Sequence, residues 1–109
     1  MKRGDVYAAA TGSGMGGKPR PVILVNAQRH LGLPIRLVAP FSSELEHLAD
    51  IRPIIEPDTL NNLRLPSAVM VDVLIAVPQR KFGGRIGNLS AVDLARVDAA
   101  LVAVLGLAT

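Results

Sequence analysis

The sequence has no cysteine and no tryptophan among its 109 residues. Without cysteine there can be no disulfide, no thiolate metal site and no cysteine nucleophile. Tyr7, Phe41 and Phe82 are the whole aromatic set, so the core must be built from Val, Leu, Ile and Ala. Three aromatics are also too few to line the proline-peptide groove of an SH3-type binding module. His30 and His47 are the only histidines, too few and too far apart to suggest a metal cluster. No apolar run approaches the ~20 residues of a membrane-spanning helix, because the longest is broken by Asp72. The opening Met1-Lys2-Arg3-Gly4-Asp5 is charged and leads into a short mixed strand, unlike a signal peptide. A soluble cytoplasmic protein is expected.

What is present is an apolar half of the composition on a chain of single-domain length, so residues 1–109 are read as one domain with one modest core. Twelve basic residues against nine acidic ones give a net charge of +3, with a sequence pI near 10.0. That excess permits an anionic partner without requiring one.

Residues 11–21, TGSGMGGKPRP, match a dinucleotide fingerprint and most of a phosphate-binding loop at once. Either works only if a helix starts after the last glycine, since the amides of its first turn hold the phosphate. Arg20 lies between Pro19 and Pro21, which pushes it into an extended conformation. Pro19 also occupies the Ser/Thr position that the phosphate loop needs. Both nucleotide readings therefore fail, and residues 11–18 are read as a flexible hairpin-type connection.

The pattern predicts strands over residues 4–10, 21–26, 33–40 and 51–56, with Pro53 suited to a sheet edge. A single helical turn is expected over 44–48, and a turn-rich stretch centred on Asn61-Asn62 over 57–66. Residues 67–77 read as a long strand, apolar on both faces and therefore central. A basic connection over 78–88 is expected to end in a short strand at 85–87. The terminal helix starts at Ser90, with Asp93 in a capping-box-like position. It aligns Leu94, Val97, Leu101, Val104 and Leu105 on one face and ends at Gly106. Five or six strands with one packed helix describe a small, mostly antiparallel barrel.

Five segments in this order resemble one family. They are Arg3-Gly4-Asp5-Val6-Tyr7, the glycine loop into Lys18-Pro19-Arg20-Pro21-Val22-Ile23-Leu24-Val25-Asn26, Val38-Ala39-Pro40-Phe41-Ser42-Ser43, Leu65-Pro66-Ser67-Ala68-Val69-Met70-Val71-Asp72, and Arg85-Ile86-Gly87-Asn88-Leu89-Ser90 before the Ala99-Ala100-Leu101 helix. The chain resembles the MazF/PemK toxin endoribonucleases of type II toxin-antitoxin pairs over nearly its whole length. The resemblance implies an SH3-like barrel of the MazF/PemK/CcdB toxin type, a homodimer, and a groove for single-stranded RNA. It also implies metal-independent, cofactor-free cleavage, in which the ribose 2′-hydroxyl attacks the adjacent phosphate to leave a 2′,3′-cyclic phosphate and a 5′-hydroxyl. A cognate antitoxin with an acidic and apolar tail would fill the RNA groove.

By the same resemblance the catalytic residues are Arg20, Ser42 and Asp72, the last at a position where some members place a base. The chain departs from the family around Asp72. Met70 stands where an Arg is common, and Val73, Leu74 and Ile75 stand where Gln and Arg are often found, which implies weaker RNA contacts from this strand.

The chemistry suits these residue types in its own right. In-line attack raises the negative charge on the phosphate, and a fixed guanidinium meets that charge with paired donors. The high pKa of arginine makes it a poor acid, so charge stabilisation is favoured and a general-acid role stays open. Ser42 would donate to a nonbridging oxygen.

Each residue also has a plainer reading. Arg20 can be a surface arginine beside a loop, Ser42 or Ser43 can cap the 44–48 turn, and Asp72 can bond a backbone amide or a nearby arginine. Lys18, His30, Ser43, Arg80 and Arg85 are candidate RNA contacts, with Lys81 in the same basic stretch, although basic loops are often simply solvated. A non-enzymatic toxin of the CcdB type is the alternative, as is a toxin reduced to a regulatory binder. The CcdB group ends in Trp-Gly-Ile, whereas this chain ends Leu105-Gly106-Leu107-Ala108-Thr109.

Overall fold

The structure, a computed structural model, describes residues 1–11 and 18–107. The glycine-rich connection over residues 12–17 lies outside the described residues. Its flanks are β1 (Asp5–Ala9) and β2 (Arg20–Leu24), which pair antiparallel from Val6↔Ile23 to Ala9↔Arg20. β2 begins two residues after Lys18, so no helix follows it.

β3 (Ile35–Ser42), β4 (Ile54–Ile55), β5 (Ser67–Val69), β6 (Ile75–Pro78) and β7 (Phe82–Asn88) complete a curled antiparallel sheet. Its order is β4-β5-β3-β2-β1-β7, with β6 also paired to β3. β3, which pairs with β2, β5 and β6, and β2 beside it form the middle of the sheet, and Val22, Ile23 and Leu24 of β2 are all fully buried. One face of the sheet packs Val6, Ile23, Ala39, Ile55 and Val69 against the terminal helix, α1 (Ala91–Leu105), through Val97 and Leu101. The other face gathers Ala9, Val22, Leu24, Val38 and Val77 under Tyr7 and Phe82. Those two rings meet edge to face at 6.0 Å.

The predicted 67–77 strand is two strands, neither of them central. Three residues take β3 from Val38 to Phe41, whereas the opposing chain uses six to pass from Ile75 back to Val69, so three extra residues loop out. Asp72 lies in this arch, where its carboxylate escapes the apolar ladder. The arch is held by Met70 N–H donating to the Pro40 carbonyl at 2.8 Å and Val73 N–H to the Met70 carbonyl at 3.0 Å.

The helical turn expected at 44–48 does not form. Leu48 takes φ of +52°, outside the right-handed helical region, and its carbonyl accepts from both Ile51 and Arg52 N–H. The 51–56 strand shrinks to Ile54–Ile55, and the last strand runs over all of 82–88 rather than 85–87.

The sheet ends, β4 and β7, do not pair with each other. The turn-rich stretch over 57–66 bridges them instead: Asn88 N–H donates to the Leu60 carbonyl, and Asn62 Nδ2 donates to the Ile86 carbonyl, both at 2.9 Å. Gly87 permits this approach, since a Cβ there would lie 2.3 Å from the Leu60 oxygen.

The helix follows its sequence signals. Ser90 Oγ accepts from Asp93 N–H at 3.1 Å, and Gly106 closes the C-terminus in the left-handed conformation. Val97 and Leu101 are buried, whereas Leu105, expected on the same face, is 52% exposed. Among the described residues no helix is long and apolar enough to cross a membrane.

Candidate active-site cleft

A cleft of about 440 Å³ opens where the start of β2, the end of β3, the stretch before β5 and Ile86 of β7 converge. From β2 come Arg20 and Pro21, from the end of β3 Phe41 and Ser42 with Ser43 just beyond it, and from residues 62–65 the side that leads into Ser67. β2 and β5 flank β3, so Ser42 lies between the two.

Arg20 owes its placement to local sequence. Its backbone is laddered against Ala9, the prolines on both sides restrict its conformation, and its side chain is exposed. It makes no hydrogen bond or ion pair with another described residue. Ser42 is paired to Ala68, and its Oγ accepts from Glu44 N–H at 3.1 Å. With that lone pair used, the hydroxyl proton is left to donate. Ser42 thus closes a tight turn but caps no helix, and it keeps its donor.

Two charged side chains line the cleft, Arg20 and Arg64, and both are cations. No carboxylate lines it among the described residues. Such a wall attracts an anion.

The cleft brings together Arg20, Ser42 and Ser43 and leaves the other proposed site residues outside its lining. Asp72 is held by Arg52: Nε donates to Oδ1 at 2.8 Å and Nη2 to Oδ2 at 2.9 Å. That hydrogen bonding keeps the Asp72 carboxyl below the ordinary carboxylate range, against desolvation that acts the other way. The same contact raises the Arg52 guanidinium above its usual value. His30 ends the 3₁₀ turn Gln28–His30 and accepts from Arg29 Nε at 3.3 Å. Arg85 bonds Asn88 Oδ1 at 2.9 Å and reaches Asp5 at 3.5 Å. Lys18 is exposed on the approach to β2, and Arg80 is exposed on the 3₁₀ turn Gln79–Lys81, with Lys81 beside it.

Two cleft residues, Asn62 and Arg64, belong in the sequence only to the turn-rich stretch. The available signal was an arginine isolated in a turn-rich stretch just before a strand, and it carries meaning only once β7 is known to lie alongside. Met70, Val73 and Ile75, the departures around Asp72, do not line the cleft either.

A profile of the family described as PemK-like, MazF-like toxin of type II toxin-antitoxin system matches residues 2–105. The chain belongs to this family. Among the relatives of this PemK/MazF-like toxin is a probable endoribonuclease MazF of Mycolicibacterium smegmatis, 35% identical over 108 residues and matched over 99% of both chains. The Mycobacterium tuberculosis toxin MazF-mt6 superposes with a TM-score of 0.79 at 24% identity, over 96% of this chain and 99% of that one. A mycobacterial endoribonuclease solved in complex with its cognate antitoxin superposes with a TM-score of 0.78 at 16% identity, over 100% of this chain and 96% of that one. At these identities the two superpositions establish a shared fold, a curled antiparallel sheet with one C-terminal helix.

Proposed function

We propose that this PemK/MazF-like toxin is an endoribonuclease that cleaves single-stranded RNA by attack of a ribose 2′-hydroxyl on the adjacent phosphate. The bond formed joins the 2′-oxygen to phosphorus as its proton passes to water, and the bond broken releases the 5′-oxygen, which takes a proton from water, so the products are a 2′,3′-cyclic phosphate and a 5′-hydroxyl. The observation that carries this reading is the pairing of Arg20 with Ser42 in a cleft that holds cations and, among the described residues, no acid.

Each group has a part that its chemistry allows. The Arg20 guanidinium presents parallel N–H donors to the phosphate as its charge builds. The free donor of Ser42 meets a nonbridging oxygen. The substrate supplies its own nucleophile, so the fold needs only to position the phosphodiester and stabilise its transition state.

In this reading Asp72 is an anchor. A carboxylate fully engaged by Arg52 and held below its usual range is a weak base, and it lies outside the cleft.

The endoribonuclease name of the relative from M. smegmatis supports the reaction class. The related complex with a cognate antitoxin supports inhibition by a partner whose acidic, apolar tail competes with RNA for the basic cleft. The protein acts as a homodimer in the cytoplasm, where its RNA substrate is found.

The test is incubation of the purified protein with single-stranded RNA in excess EDTA, followed by analysis of the new ends. Cyclic phosphate and 5′-hydroxyl termini are expected. An absolute requirement for magnesium, or 5′-phosphate products, would overturn the mechanism.

A further inference from the structure

Only two of the nine arginines line the cleft. Arg3, Arg52, Arg85 and Arg96 are each held by a carboxylate, and Arg36 is buried. Arg20 meets the scissile phosphate in the reading above, which leaves Arg64 in the same cleft with no carboxylate partner among the described residues.

We propose that Arg64 is a second RNA-binding residue and grips the phosphate next to the scissile one. The inference rests on the reading of the cleft as an RNA site and adds a subsite to it.

The backbone that carries Arg64 is fixed. Asn61, fully buried, accepts through Oδ1 from Asp58 N–H at 3.1 Å and Leu63 N–H at 2.9 Å, and its Nδ2 donates to the Glu56 carbonyl at 2.9 Å. Asp58 Oδ1 accepts in turn from Leu60 and Asn61 N–H at 2.9 and 2.8 Å. Asn62 ties the same stretch to β7. On the far side of Arg64, Ser67 Oγ donates to the Leu65 carbonyl at 2.9 Å. A long flexible side chain thus stands on a rigid base, so little backbone order has to be gained on binding.

The position fits a repeating anion. Arg20 belongs to β2 and Arg64 to the chain entering β5, the two strands that flank β3, and Ser42 lies at the end of β3 between them. RNA carries one negative charge per nucleotide, so a strand crossing the end of β3 offers consecutive phosphates to the two guanidiniums. No acid among the described residues lines the cleft to compete for either cation.

The test uses the full-length protein with Arg64→Gln and Arg64→Lys. Cleavage of a single-stranded RNA oligonucleotide and binding of its non-cleavable form, 2′-deoxy at the target nucleotide, are both measured across a series of salt concentrations. Arg64→Gln is expected to raise KM and Kd about tenfold at low salt with kcat changed less than about twofold, as for loss of one charged hydrogen-bonding contact. The slope of log affinity against log salt should flatten by about 0.7. Arg64→Lys should keep the wild-type slope and recover part of the affinity. An unchanged slope and KM for Arg64→Gln in a cleaving enzyme would overturn the phosphate subsite and leave the proposed reaction intact. Weakening confined to some base sequences, with an unchanged slope, would overturn it in favour of base reading. A wild-type protein that binds the oligonucleotide with the predicted slope difference but never cleaves would keep the subsite and remove the reaction. Absence of both binding and cleavage would remove both.

Discussion

Arg52 and Asp72 form a two-point contact across the arch between β5 and β6, with Nε to Oδ1 at 2.8 Å and Nη2 to Oδ2 at 2.9 Å. Arg52 is nearly buried and Asp72 is partly so, with side-chain exposures of 8% and 23%. The pair joins the chain leading into β4 to the arch over residues 70–74. Removing one partner strands the other: Arg52→Ala should lower stability by about 2–4 kcal/mol, the exposed side of Asp72 keeping the loss below that of a fully buried pair. Chemical denaturation would show this, and a double-mutant cycle with Asp72→Asn should show strong coupling. At a temperature where Asp72→Asn is folded, its cleavage rate should stay within about tenfold of wild type. A loss of several orders of magnitude in the folded variant would return Asp72 to a catalytic role.

The same pair fixes how stability responds to acid. The folded-state pKa of Asp72 is lowered, chiefly by the hydrogen bonds from Arg52. Its contribution is therefore fully present above the unfolded carboxylate value of about 3.9, and it is lost as pH falls from there through the folded-state value. The stability difference between wild type and Asp72→Asn should be constant from neutral pH to about pH 5 and shrink on further acidification. A difference that remains constant down to about pH 2.5 would contradict the pairing.

Gly87 is the point where β7 and the 57–66 stretch come closest. An added Cβ would lie 2.3 Å from the Leu60 oxygen and 2.8 Å from that of Asn61, both backbone atoms with little freedom to move. Gly87→Ala should cost about 1–3 kcal/mol by overpacking. It should also weaken RNA affinity more than Leu105→Ala does, because it displaces the chain that carries Asn62 and Arg64. Melting curves and RNA titrations on the two variants check both parts.

Arg36 on β3 is 5% exposed, and its Nε and Nη1 have no hydrogen-bond partner among the described residues. A buried cation without a partner is costly, and an apolar side chain of similar length removes that cost. Arg36→Met should be neutral or raise stability by about 1–4 kcal/mol, measured by urea titration. A marked loss would show that a group beyond the described residues satisfies the guanidinium.

Much of this was legible in the chain itself. The Ser90 cap, the Gly106 stop and the spacing of Val97 and Leu101 describe α1 because each signal acts within a few residues. Prolines on both sides of Arg20 were enough to rule out a helix after the glycine loop and to place a guanidinium on an extended stem. The 67–77 run misled because hydrophobic periodicity does not register an insertion in a ladder. The partner that lets Asp72 leave that ladder, Arg52, is twenty residues away. Arg64 and Asn62 were hidden for a related reason: a turn acquires a role only when the strand beside it is known, and β7 comes more than fifteen residues later. The period puts Leu105 on the packed face, but in the last turn Val104 packs against the core while Leu105 lies at the edge of that face, 52% exposed.

Single-turnover cleavage of a single-stranded RNA by wild type and Arg20→Ala, in EDTA and with matched melting temperatures, tests the central claim most directly. The account predicts a rate constant about 10²–10³-fold lower for Arg20→Ala, as for loss of a main donor to the charge-bearing phosphate. Undiminished cleavage by the folded Arg20→Ala protein would contradict it.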